Sequence, residues 1–201
     1  MANVNGPFGM RPYAYAWGGP YNGAVSVYYV PPTNAAALYL GDPIALIGSS
    51  SDANGVPGVQ IGTAGASNFI LGPFLGMANN AGQPVITVQW TTPVYLPAST
   101  AAYIYVADDP NLLHVIQEDS VGGALTAGAA GGNANLVAGS GSTITGFSGW
   151  QLQSSSISHG TDTTKQLRVM RALQQQDNAI GNNAKWLVRT NLNSWSNLAS
   201  V

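Results

Sequence analysis

Turn formers interrupt this chain so often that no segment is free to run as a long helix. Its 201 residues include 25 glycines and 12 prolines, scattered between short apolar runs rather than gathered in one block. Glycine weakens a helix interior and proline breaks it, so the pieces left between them suit short strands. Val25–Val30 is closed by Pro31-Pro32, and Ile44–Ile47 follows a Gly41-Asp42-Pro43 turn. Val59–Ile61, Val85–Trp90, Val94–Leu96, Ala102–Val106 and Leu112–Gln117 continue the series, the last after an Asp108-Asp109-Pro110 turn. Phe69–Leu75 is apolar but carries Gly72-Pro73, which suits an edge or a bend. Gln166–Leu173 and Ala184–Thr190 read as a hairpin with a longer loop. A helical reading of 165–176 stays open, because Leu167, Met170 and Leu173 have helical spacing. Closely spaced short strands predict an all-β domain over 25–190, a β-barrel or β-sandwich with an extended N-terminal arm and long Gly-rich loops.

Three segments stand apart. Residues 120–165 are rich in Gly, Ser and Ala, with nine glycines from Ser120 to Gly149. Short strands are predicted at Asn135–Ala138 and Gly149–Leu152, with ordered irregular loops held by a partner, or else a mobile surface segment. Residues 191–201 read as a polar tail anchored by Leu192 and Trp195. Residues 1–24 read as an arm, since Gly6-Pro7, Gly9, Pro12, Gly18-Gly19-Pro20 and Asn22-Gly23 oppose regular structure. The arm also holds Phe8, Tyr13, Tyr15, Trp17 and Tyr21. Aromatics in that number point to docking on a neighbouring subunit or a partner, or to an arm folded over its own core. Burying one aromatic contributes roughly 1.5–3 kcal/mol, against roughly 1–2 kcal/mol per residue for ordering the backbone, so such an arm is expected to order only on a matching surface.

Charge is sparse and segregated. Only 7% of residues are charged, against about 25% in an average domain. No Lys or Arg lies between Pro12 and Thr164, a stretch with seven acids, whereas five of the six cations follow from Lys165 onward. Two readings stay open: the C-terminal strands pair with the acidic body, or faces of opposite sign meet between subunits. A net charge of −2 argues against nucleic acid as the main partner. No window approaches 18 consecutive apolar residues, and residues 1–11 lack the charged-then-apolar pattern of a leader, so neither a membrane span nor export is expected.

Candidate chemistry is thin. There is no cysteine, which excludes disulfides, thiolate metal sites and thiol nucleophiles, and there are only two histidines. Asp108-Asp109 has the makings of a Ca²⁺ or proton-sharing pair, but Asp before Pro is a common turn starter. His114 and Glu118 share a helical face only if the segment is a helix; as a strand they stand about 13 Å apart. No Gly-x-Ser-x-Gly elbow and no phosphate loop is present. No catalytic residue, cofactor or metal site is expected. Five Trp and nine Tyr also allow a sugar-binding platform, although scattered aromatics commonly belong to core and interface.

Several stretches, in order, carry a resemblance. They are Met1–Pro12, Leu40-Gly-Asp-Pro-Ile44, Tyr105–Pro110 leading into His114–Asp119, Asn133–Leu136 with Gly139–Ser142, and Leu167–Arg171 with Asp177-Asn178. Together they resemble the structural cement, or decoration, proteins of tailed bacteriophages. The resemblance implies a β-rich protein made in the host cytoplasm and bound to the outside of the phage head. Its implied partners are the major capsid protein and itself, as a homotrimer rather than a dimer. The expected interface residues are Phe8, Arg11, Tyr13, Tyr15, Trp17 and Tyr21.

Overall fold

The computed structural model describes residues 3–78, 95–160 and 162–196. It is all-β, with two single 3₁₀ turns among the described residues, at Ala127–Ala129 and Ser154–Ser156. The strand predicted at Val85–Trp90 and the start of the one at Val94–Leu96 lie outside the described residues.

Five strands close a barrel: β2 (Ser26–Val30), β3 (Pro43–Ser51), β4 (Pro57–Ile61), β5 (Gly72–Ala78) and β6 (Ala102–Val106), in the order β2-β4-β3-β5-β6. β5 changes partner along its length. Gly72 and Pro73 pair with β3, whereas Phe74–Ala78 pair with β6. The Gly-Pro pair read as a bend is thus a barrel corner, where a missing side chain and a missing N–H are tolerated. Tyr28, Val30, Ile44, Phe74, Ile104 and Val106 fill the interior.

The remaining strands form a separate five-stranded sheet rather than joining the barrel: β1 (Arg11–Tyr15), β7 (Leu112–Gln117), β8 (Asn133–Ala134), β11 (Leu167–Ala172) and β12 (Lys185–Thr190), ordered β1-β7-β12-β11-β8. β9 (Leu136–Val137) and β10 (Gln151–Leu152) pair alongside it, so the described part of the Gly-rich stretch carries the two short strands expected of it. Met10, Ile116, Trp150, Val169, Trp186 and Val188 pack beneath the sheet, and Ile61 touches both cores.

The helical reading of 165–176 is overturned. β11 pairs with β12 along its length, burying Leu167 and Val169 and leaving Met170 41% exposed at a bulge between Val169 and Arg171. A helix would have buried Met170 with Leu167; the cross-strand partners of β12 decide otherwise.

Buried amides join the two halves. Gln166 is fully buried; its carbonyl accepts from the Gly65 and Leu136 amides, and its NH₂ donates to the Thr63 and Asn68 carbonyls. Asn193, also fully buried, donates to the Leu71 carbonyl at 2.9 Å. The tail is therefore anchored by Asn193 more than by Leu192, while the half-exposed Trp195 indole donates to the Tyr28 hydroxyl at 2.8 Å.

Candidate interaction site

The N-terminal segment is built into the fold before it offers anything to a partner. Asn3 donates to the carbonyls of Ala179 and Asn182, at the β11–β12 loop. Gln117 is buried, accepts from the Gly6 amide at 3.0 Å and donates to the Val4 carbonyl at 2.9 Å. Gly9 and Gly41 then meet face to face: a Cβ on Gly9 would lie 2.3 Å from the Gly41 carbonyl oxygen, and one on Gly41 would lie 2.4 Å from that of Phe8. Both glycines have positive φ, 70° and 96°, so glycine is required twice over. This approach brings the Met10 amide to the Gly41 carbonyl at 2.9 Å and buries Met10 completely.

The expectation of an arm that orders only on a partner is corrected accordingly. The matching surface is in the chain itself, and Arg11–Tyr15 forms the edge strand β1 against β7. Only the outward parts of the segment are available. Tyr13 lies at a bulge in β1 and is 46% exposed. Beyond β1 the chain turns through Gly18 and Gly19, with the Tyr15 amide donating to the Gly19 carbonyl at 2.8 Å. Trp17 stands at this tip, 66% exposed, its ring stacked on Tyr15 at 4.9 Å and 5°. Tyr21 tilts against Tyr15 at 6.5 Å, and burial, with Tyr15 and Asp108 nearby, pushes its hydroxyl up to about 12.

On the other flank of β1 the Arg11 guanidinium lies 4.6 Å from the ring centres of both Phe8 and Phe147. Each such contact at a partly open site is worth about 0.5–1 kcal/mol. Partial burial lowers the Arg11 pKa, yet a guanidinium remains charged at neutral pH. Val4, Phe8, Arg11, Tyr13, Leu173 and Lys185 line an open groove of about 530 Å³ here. The structure thus gathers Phe8, Arg11 and Tyr13 at the groove and Tyr15, Trp17 and Tyr21 at the neighbouring tip. Phe147 and Val4 were missed, since neither the Gly-rich loop nor the first residues gives a periodic signal.

Register completes the face. On the side opposite the main core lie Arg11 of β1, Leu113, Val115 and Gln117 of β7, Lys185, Leu187 and Arg189 of β12, and Arg168 and Arg171 of β11; of these, Val115, Gln117 and Leu187 are buried beneath the N-terminal segment and Leu173. Five of the six cations of the chain therefore share one side of one sheet. Of the ion pairs among the described residues, Lys165–Asp162 at 3.4 Å joins the C-terminal section to one of the seven acids, and Lys185–Asp177 at 3.0 Å spans the β11–β12 loop; the arginines of these strands make none with the acidic body.

The carboxylates are turned inward onto loops. Asp109 accepts from the Asn111 amide at 2.7 Å, the turn expected of Asp before Pro, and Asp108 accepts from the Tyr28 hydroxyl at 2.6 Å and from Ser26 at 3.0 Å. Tyr28 is held well above its usual pKa by burial and by that bond. Asp52 takes the Tyr103 hydroxyl and the Asn54 and Val56 amides, which keep its pKa low, and Asp119 takes Val121 and Ser154. Thr164 and Ser158 hold Asp162 down at about 2. Glu118 is buried and caps the Leu125 amide at 2.8 Å, with its pKa raised by burial. His114 lies in strand β7, buried with Pro12 and Val188 as cross-strand neighbours, and burial drops its pKa to about 3. It does not join Glu118. Among the described residues, no group of three or more His, Asp or Glu side chains is placed to hold a metal ion, and no helix is long and apolar enough to cross a membrane.

Comparison with protein-family models, with curated proteins and with solved structures finds no match to any of them. The functional reading therefore rests on this face and its chemistry.

Proposed function

We propose that the chain is a structural binding protein, a cement protein that attaches to the outside of a tailed-phage head and stabilises the shell by bridging capsid subunits. The observation that carries the reading is the rigid outward display of Tyr13 and Trp17. Both lie on a segment pinned by Asn3, Gln117 and the Gly9–Gly41 contact, so docking them orders little additional backbone. Exposed aromatics on a preformed edge are the anchors an interface uses. The resemblance of the sequence to cement proteins supports the same reading, with the major capsid protein as partner and a homotrimer as the assembled form. A protein that binds only the assembled shell stabilises it by its binding free energy, multiplied over many copies. Carboxylates committed to loop amides and hydroxyls favour binding over catalysis.

One observation favours a second reading. The Trp17 indole is exposed and stacked flat on Tyr15, a geometry that also suits the face of a sugar ring. The test uses both partners. Purified protein is mixed with heads that lack it, its occupancy is read by electron microscopy, and the free protein is screened on a glycan array. Occupancy on heads that is lost in Tyr13→Ala/Trp17→Ala with unchanged melting supports the cement reading. No occupancy, together with glycan binding that Trp17→Ala abolishes, replaces it with the carbohydrate reading.

A further inference from the structure

We infer that the outer face of the five-stranded sheet, between Arg11 on β1 and Arg171 on β11, docks a carboxylate-bearing surface of a different protein. The inference rests on the cement reading for the identity of that protein, the capsid subunit, but its chemistry comes from the face. One row across the sheet reads Arg11, Val115, Leu187, Arg171; Phe8 and Leu173 cover the two middle residues, which leaves the arginines at the two ends of that apolar cover. Three strand spacings make that row ~14 Å wide. In the next row, Arg168 stands directly beside Arg189.

Like charges placed side by side are unfavourable unless something neutralises them. Within the chain little does. Lys185 is paired with Asp177. Arg189 donates to the Pro110 carbonyl and to the Asn111 side chain, both uncharged. Arg11 lies against two aromatic rings. Arg168 and Arg171 are exposed and make no hydrogen bond or ion pair among the described residues. Arg11, Arg168, Arg171 and Arg189, on one side of one sheet, thus lack a counter-charge among the described residues.

The occupant follows from the remaining chemistry. A second copy of this chain is a poor match, because its partly exposed carboxylates Asp52, Asp108, Asp109, Asp119 and Asp162 already accept from their own loops, and the exposed Asp177 pairs with Lys185. Nucleic acid is also a poor match, since Val4, Phe8 and Tyr13 line the groove beside Arg11 and the chain carries a net charge of −2, where a phosphate track needs continuous cationic contact. Val4, Phe8 and Tyr13 at the groove, with Arg11, Lys185, Arg168 and Arg171 around them, fit a protein surface that carries Asp or Glu beside apolar side chains.

The decisive variant is Arg168→Glu/Arg171→Glu, which removes two side chains without a bonded partner among the described residues and sets a carboxylate beside Arg189, so its melting is expected to equal or exceed that of wild type. Its binding to heads lacking the protein is expected to weaken at least about ten-fold, and wild-type binding is expected to fall more steeply with rising salt than the residual binding of the variant, which keeps Arg11 and Arg189. Wild type that fails to bind heads sinks the cement reading alone. Wild type that binds, with a variant that binds equally, sinks this inference alone. A second arm needs no heads: isotope-labelled protein is titrated with a Glu-rich peptide and, separately, with a DNA duplex. Peptide-induced shifts at 11–15, 113–117, 168–173 and 185–189 support the inference. No shift there with the peptide, or equal shifts with DNA, overturns it.

Discussion

His114 makes acid stability a sharp test of how the sheet is packed. The imidazole is fully buried between Pro12 and Val188, and its pKa falls from 6.5 to about 3 because the interior cannot solvate the cation. The unfolded chain protonates this group near pH 6.5 and the folded chain does not. Its contribution is therefore intact above about 6.5 and is lost as pH falls toward 3. At pH 5 the unfolded state has gained about 1.5 pH units of protonation free energy, or about 2 kcal/mol. Asp42 works in the opposite direction. It is buried, its pKa is raised to about 6 by burial, and the folded state takes up its proton first as pH falls. By pH 5 that returns about 1 kcal/mol, so the wild-type curve alone is shallow. The informative measurement is a difference. Urea unfolding of wild type and His114→Leu is compared at pH 7.5 and pH 5. The stability gap between them is expected to move by about 2 kcal/mol in favour of the leucine variant at the lower pH. If the gap is the same at both pH values, His114 titrates alike in both states and the packing of β1 and β12 over it is wrong.

Other perturbations follow from the same contacts. Asp42→Asn removes a carboxylate that is costly to bury ionised; it is expected to gain up to about 3 kcal/mol at pH 8 and nothing at pH 4, read by thermal melting. Gln166→Leu leaves two amides and two carbonyls without their partner between barrel and sheet, and is expected to cost about 3 kcal/mol or more in urea unfolding. Gly41→Ala forces a Cβ against the Phe8 carbonyl at a positive φ; hydrogen exchange of residues 8–15 is expected to accelerate before that of the barrel strands. Deleting residues 1–17 strips β1 and the buried Met10, and is expected to lower the melting temperature rather than leave an intact domain.

The all-β class was legible because β2, β6, β7, β11 and β12 are short apolar or alternating runs bounded by Pro, Asp and Gly. The allocation of strands was not. Nothing local in Leu112–Gln117 says that it leaves the barrel for a sheet with β1 and β12; pairing across long sequence separations decides that. The arm was misread because Gly9 is conspicuous as a breaker but silent about Gly41, the residue that makes it a contact. The aromatic positions Phe8 to Tyr21 were visible as a group, and so was the charge split. That Lys185, Leu187 and Arg189 share a face was available from alternation within β12. The bulge at Met170 is what keeps Arg168 and Arg171 on that face, and a period-two reading of β11 does not anticipate it.

The strand order β1-β7-β12-β11-β8 also sets a timetable for synthesis. Barrel strands β2 to β6 all lie between Ser26 and Val106, so every one of them can emerge and pair before the sheet exists. The sheet cannot start that way. Its second strand pairs on one side with Arg11–Tyr15 and on the other with Lys185–Thr190, the last strand made. Non-local pairings of this kind close late and slowly. The cationic face, assembled from strands far apart in sequence, thus comes into being only once Lys185–Thr190 has emerged. Until then Leu112–Gln117 carries an unpaired edge on the side that β12 will fill, and that edge marks where aggregation of the nascent chain would begin.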